Sequence, residues 1–196
     1  MSRPRPLPSD GSPERSPPRP PPRWVFLDRD GTINVKPSPG EYVEQSSQLR
    51  LLPGAAHAIA RLNRAGVWTG VVTNQRGVAL GRMSLAALEA VHERLRELLA
   101  QDDAHLDAIY ACPHGLDACD CRKPKPGMLL AAQRDHPGLD FAATAIVGDS
   151  LSDVETGRRV GLRTVLLGEQ RGGETPDHRV PDLLAAVDWL LQPSSP

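Results

Sequence analysis

Short apolar runs alternate along the chain with stretches whose apolar positions return every three or four residues. Trp24–Leu27 and residues 67–72, 107–111, 142–147 and 162–167 form the first set. Apolar runs of this length, bounded by turn residues, suit strands buried on both faces. Between them, residues 55–65 read as a helix opened by Pro53-Gly54 and closed by Gly66. Ser84 caps a helix whose Leu85, Leu88, Val91, Leu95 and Leu98 keep near-helical spacing. Pro126 opens another helix to about Asp135, a further one covers residues 153–160, and a closing one spans Leu183–Leu191. Five strands separated by helices predict an α/β fold with a doubly wound parallel sheet, because parallel neighbours require crossovers.

Polar signatures interrupt this pattern where strands end. Asp28-Arg29-Asp30-Gly31 follows the first strand, Thr73-Asn74-Gln75 the second and Gly148-Asp149-Ser150 the fourth. Arg122-Lys123 follows the loop after the third. In a doubly wound sheet these strand ends share one edge, so the four signatures can meet in one crevice. Carboxylates placed there are costly to desolvate unless paired. Mg²⁺ is their natural partner, since it prefers hard oxygen ligands and works alongside substrate phosphate.

Composition narrows the reading. At 196 residues the chain suits one domain, and a formal charge of −1 gives no pull toward nucleic acid or a membrane surface. No apolar run nears the roughly 20 residues needed to span a bilayer. The first 22 residues hold nine prolines and no apolar core of a signal peptide. They predict a disordered, Pro/Arg-rich tail ahead of a domain over residues 23–192. All three cysteines fall within ten residues, which is a metal-site pattern of a cytoplasmic protein rather than a disulfide framework. Cys112, His114, Cys119 and Cys121 supply three thiolates and an imidazole, a closed tetrahedral set for structural Zn²⁺. The loop is too short and polar to build a core, so the metal must fix its shape and place Arg122 and Lys123. Reduced, unliganded thiols or a redox pair at Cys119 and Cys121 are the alternatives.

Asp28-x-Asp30-Gly31-Thr32, Thr73-Asn74-Gln75, Lys123-Pro124 and Gly148-Asp149-Ser150-x-x-Asp153 resemble the four ordered motifs of the haloacid dehalogenase (HAD) superfamily. The run from Phe26 to Asn34, the cysteine loop and Arg122-Lys123-Pro124-x-Pro126-Gly127-Met128 resemble one group within it. That group holds the heptose-bisphosphate and histidinol-phosphate phosphatases. The resemblance implies a Rossmann-like, HAD-like sheet with no separate cap domain and an open site contacted by loops. It implies that Asp28 attacks phosphorus and becomes an aspartyl phosphate. Asp28, the backbone carbonyl of Asp30 and the Asp149 carboxylate would hold Mg²⁺. The Asp30 side chain would protonate the leaving oxygen and then activate water. Thr73, Asn74, Gln75, Arg122 and Lys123 would bind the substrate, with Lys123 as fixed positive charge and Arg122 as a fork for a second anion. Asp153 would orient Lys123 or a metal-bound water.

Within the group, Pro126-Gly127-Met128, Asn34 and Tyr42-Val43 look like the heptose-bisphosphate branch. The short segment between His114 and Cys119 is closer to the histidinol-phosphate branch. Residues 36–40 lengthen the stretch before Tyr42, and Arg76 replaces a usual small residue. The expectation is a monomeric hydrolase removing the 7-phosphate of D-glycero-D-manno-heptose 1,7-bisphosphate. A histidinol-phosphate phosphatase and a non-catalytic zinc-bearing module are the rivals. His57, His92, His105, His136 and His178 read as surface or packing residues, and Trp68 and Trp189 as core.

Overall fold

The computed structural model describes residues 20–170 and 172–192. Its strands are β1 (Trp24–Leu27), β2 (Trp68–Asn74), β3 (Ala108–Cys112), β4 (Thr144–Gly148), β5 (Arg163–Leu167) and β6 (His178–Val180). The helices are α1 (Ala55–Arg64), α2 (Leu85–Ala100), α3 (Gly127–Asp135), α4 (Leu151–Arg158) and α5 (Leu183–Leu191). All strand pairs are parallel, in the order β3–β2–β1–β4–β5–β6. The strand order switches sides at β1, with β2 and β3 on one side and β4 to β6 on the other, and at such a switch point a crevice opens at the strands' carboxyl ends.

Successive strand side chains point to opposite faces, and the core divides accordingly. Val25 and Leu27 join Val71, Val147 and Val165 in a cluster with Ile59 of α1, Leu95 of α2 and Val187 of α5. Phe26, Val72 and Ile146 face the other way, against Met128 and Leu129 of α3. A Cβ on Gly157 of α4 would stand 2.5 Å from the Ile146 side chain, so the missing side chain lets α4 lie close on this second face. Trp68 packs edge-on against Phe26 and His136, and Trp189 stacks on His178 at 4.6 Å.

Three features depart from the pattern-based expectation. The sheet has six strands rather than five: β6 is three residues long and carries His178 and Arg179, so no apolar run announces it. It is seated by Asp177, whose carboxylate accepts from the Thr164 amide at 2.8 Å and hydroxyl at 3.1 Å. Residues 141–143 form a 3₁₀ turn capped by Asp140, so β4 starts at Thr144. Helix α4 begins two residues early because Ser150 and Asp153 close a capping box. Most of the proline-rich segment expected as a tail lies outside the described residues. Of its end, Pro22 is buried, and the Pro20 carbonyl accepts from Arg163 at 2.8 Å. Among the described residues no helix is long and apolar enough to cross a membrane.

Candidate active site

Asp28 leaves β1 with its amide still bonded to the Val147 carbonyl at 2.9 Å, so the β1–β4 ladder fixes its position. Its Oδ1 accepts from the Arg29 amide at 2.8 Å and pairs with Lys123 Nζ at 2.8 Å. Lys123 comes from the far side of the cysteine loop, yet its main chain is clamped to β2. Asn74 Nδ2 donates to the Lys123 carbonyl at 3.1 Å and Asn74 Oδ1 accepts from its amide at 3.0 Å. The ammonium is buried, donates to the Val72 carbonyl at 2.8 Å and pairs with Asp153 at 2.5 Å. Burial acts to lower its pKa, but Asp153 and Asp28 outweigh that and hold it above the usual lysine range.

Two glycines make room for two carboxylates. A Cβ on Gly148 would meet Asp153 Oδ2 at 2.2 Å, and one on Gly31 would meet Asp149 Oδ2 at 2.3 Å, at a backbone φ of +91°. Asp153, in the first turn of α4, accepts from the Ser150 amide at 3.1 Å. Burial pushes its carboxyl up to about 7, although Lys123 pulls the other way. Asp149 pairs through Oδ2 with Lys36 Nζ at 2.6 Å. Its Oδ1 is buried with no hydrogen-bond partner. Burial raises the Asp149 carboxyl, Asp28 adds to that, and the Lys36 contact opposes it.

Asp28, Asp149 and Asp153 each place an oxygen within 4.8 Å of the others. Three converging carboxylates and one orphaned buried oxygen fit a hard divalent cation. Asp153, expected to orient Lys123 or a metal-bound water, forms a 2.5 Å ion pair with Lys123, and its carboxylate also belongs to the acidic trio. The Asp30 carboxylate does not. It turns aside to bond Arg29 at 3.0–3.2 Å, Asn34 Nδ2 at 2.8 Å and Gln75 Nε2 at 2.9 Å. Burial alone would raise its pKa, yet Arg29, Asn34 and Gln75 together hold it below the usual carboxylate range.

The residues expected to bind substrate divide between cavity wall and support. Asp28, Asp30, Thr73, Asn74, Arg122 and Lys123 all line one cavity of about 300 Å³, with residues 36–42 forming another part of its wall. Gln75 lies behind the wall, donating to Thr73 Oγ1 at 2.8 Å as well as to Asp30. The Asn74 amide clamps Lys123, as described. Asn34 is buried against Asp30 rather than facing the cavity, whereas Tyr42 does face it. Arg76 is not among the lining residues. Arg122 leaves its Nη1 buried and without a partner. Lys36 and the trio membership of Asp153 were not read from the sequence as site features; only the lengthened segment around Lys36 hinted at the first.

The cysteine loop is equally well gathered. Cys112 Sγ lies 3.5 Å from Cys119 Sγ and 3.8 Å from His114 Nδ1, and Cys121 Sγ lies 3.2 Å from both. Ligands about 2.3 Å from a zinc ion define a tetrahedron with edges of roughly 3.7 Å, which these spacings fit. Burial and the adjacent thiols push Cys121 up to about 12. Cys119, which burial acts to raise, is instead drawn down to about 6 by hydrogen bonds from Cys121 and the Arg122 amide. Three thiols so close share protons unequally, and a cation is what would let all of them ionise. His92 is buried and neutral, with burial lowering it to about 4 and Arg29 adding to the effect; like His136 and His178 it packs and stands apart from both clusters.

With this geometry in place, similarity to known proteins becomes interpretable. Residues 120–186 match the HAD-hydrolase-like family. The chain is 42% identical over 176 residues to D-glycero-β-D-manno-heptose-1,7-bisphosphate 7-phosphatase of Pseudomonas aeruginosa, covering 86% of this chain and 97% of that one. The chain belongs to the heptose-1,7-bisphosphate 7-phosphatase family. These are phosphoric monoester hydrolases of the HAD fold. A relative from Mycobacterium bovis, 42% identical over 140 residues (70% of this chain, 73% of the relative), acts on the α anomer by name. The D,D-heptose 1,7-bisphosphate phosphatase of B. bronchiseptica, solved with magnesium and phosphate, superposes with a TM-score of 0.77. It is 35% identical and covers 86% of this chain and 98% of its own.

Proposed function

We propose that the protein removes the 7-phosphate of D-glycero-D-manno-heptose 1,7-bisphosphate through a phosphoryl-aspartate on Asp28. The observation that carries this is the meeting of Asp28, Thr73 and Lys123 at one cavity on the switch-point edge of the sheet, with the Asp149 and Asp153 carboxylates gathered beside Asp28. The substrate follows from relatives whose names specify this sugar bisphosphate.

Phosphoryl transfer is mostly positioning and charge stabilisation. Asp28, Asp149 and the Asp30 backbone carbonyl would hold Mg²⁺, with Asp153 beside them; the bound ion would screen the Asp28 carboxylate from the phosphate dianion it attacks. Lys123 places a fixed positive charge beside Asp28, and Thr73 offers a hydroxyl from the cavity wall. A bond forms from Asp28 to phosphorus as the bond to the sugar oxygen breaks, and that oxygen takes a proton from Asp30. Asp30 is held ionised in the free site, so the adjoining phosphate charge must first raise its affinity for that proton. Asp30 then takes a proton from the water that releases inorganic phosphate. Zn²⁺ bound by Cys112, His114, Cys119 and Cys121 would fix the loop from which Arg122 and Lys123 emerge. Free thiols in this cluster suit the reducing setting of the cytoplasm.

The test is release of phosphate with each heptose bisphosphate anomer and with histidinol phosphate, in Mg²⁺, by wild type and Asp28→Asn. Wild type turns over a heptose bisphosphate in preference to histidinol phosphate, and the variant loses at least about 10⁴-fold in kcat. Unchanged turnover in the variant removes Asp28 from its role.

A further inference from the structure

The carboxylate trio is served by two ammoniums of very different character. Lys123 is enclosed, its side chain 2% exposed, and its contacts go to Asp28, Asp153 and the Val72 carbonyl. It has no freedom to leave. Asp149 is instead paired with Lys36, whose side chain is 52% exposed and reaches in from the cavity's outer rim at 2.6 Å. Lys36 is therefore the one cation of the pair that can move. Its base is fixed: the Val35 amide donates to the Arg50 carbonyl at 2.8 Å, and Pro37 and Pro39 stiffen the rim beyond it. What remains mobile is the four-carbon stem, with the cavity on one side and Asp149 on the other.

A divalent cation among Asp28, Asp149 and Asp153 competes for the same Asp149 carboxylate. The ion's repulsion of an ammonium held on the same partly buried carboxylate weakens the Lys36 contact, and the half-exposed Lys36 side chain is free to give way. Once displaced, the ammonium is left at the mouth of a cavity whose reacting end already holds Lys123. A bisphosphate with one phosphoryl group at Asp28 has a second to place, and a phosphate at the rim would give the displaced ammonium a charge-assisted partner.

We propose that Lys36 exchanges anionic partners: it neutralises Asp149 in the ion-free protein, and on divalent-ion binding it turns to the non-reacting phosphate of the substrate. The second half rests on the sugar-bisphosphate reading above; the first half does not.

Lys36→Met and Lys36→Arg test it. Mn²⁺ binding to the full-length protein, without substrate, is followed by electron paramagnetic resonance of the free ion. Lys36→Met binds about fivefold more tightly than wild type, since the competing charge is gone, and Lys36→Arg stays near wild type. Equal affinity in all three proteins overturns the first half. The second readout is the ratio of kcat/KM for heptose 1,7-bisphosphate to that for heptose 7-phosphate. It falls about tenfold in Lys36→Met and recovers in Lys36→Arg. An unchanged ratio overturns the second half. Should wild type hydrolyse neither sugar, the functional reading fails while the Mn²⁺ titration still decides the exchange at Asp149.

Discussion

The strand-end carboxylates and the cysteine loop both crowd like-charged groups into a few ångströms, but they are held together by different means. Asp28 and Asp149 stand just past the ends of β1 and β4, and Asp153 in the first turn of α4, where ladder bonds, a capping box and the clefts left by Gly31 and Gly148 fix them. Lys123 neutralises part of their charge from within. Among the described residues no lysine does the same for the thiols: Lys123 faces the carboxylates, and Lys125 donates to the Cys119 carbonyl and to Asp120. His114 is exposed, and Cys119 and Cys121 are half-buried. On the proposed reading, one cluster is prebuilt by the sheet, and the other would depend on a zinc ion for its shape. Lys123 joins them, being carried on the second and used in the first.

Lys123→Met attacks the comparison at that joint. It strips the trio of its internal cation and removes the fixed charge beside Asp28, while leaving the thiols intact. A loss of about 10³-fold in kcat is expected, in line with removal of one preorganised electrostatic partner. Bound zinc, measured by elemental analysis, stays at the wild-type level. A loss of zinc along with activity would mean that the two regions are one structural unit.

Gly31→Ala probes the prebuilt cluster alone. The added Cβ meets Asp149 Oδ2 at 2.3 Å on a backbone held at positive φ, so either the turn or the carboxylate must shift. About 10²-fold lower kcat/KM and weaker Mn²⁺ binding are expected, with the zinc content unchanged. Wild-type Mn²⁺ affinity would show that the sheet does not dictate where Asp149 lies.

The same contrast explains what was legible in the sequence. Asp28, Thr73, Lys123 and Asp149 could be placed at one edge because strand ends converge by topology, which follows from hydrophobic pattern alone. The four zinc-type ligands could be named because their spacing is local. What could not be read was side-chain direction. Asp30 shares the cavity wall with Asp28, but buried Arg29 draws its carboxylate away from the acidic trio. Asn74 and Gln75 lie in a substrate motif, yet their amides brace Lys123 and Asp30. β6 escaped notice for a related reason: an edge strand of three residues, two of them polar, has no pattern to display.

Cys119→Ser tests the ligand-dependent region. Removing one of four ligands should release zinc and leave the loop without the bonds that define its path. Asn74 still clamps the Lys123 main chain from β2, and Val72, Asp28 and Asp153 still hold its ammonium. The lysine therefore keeps part of its position, and the expected loss in kcat/KM is about tenfold or somewhat more, smaller than for either earlier variant. Amide hydrogen exchange separates the regions directly. Protection across residues 113–122 falls in the variant, and in wild type treated with a zinc chelator, while β1, β2 and β4 keep theirs. Protection lost throughout the sheet would instead make the metal a condition of folding, and the sheet would no longer count as the self-sufficient half of the comparison.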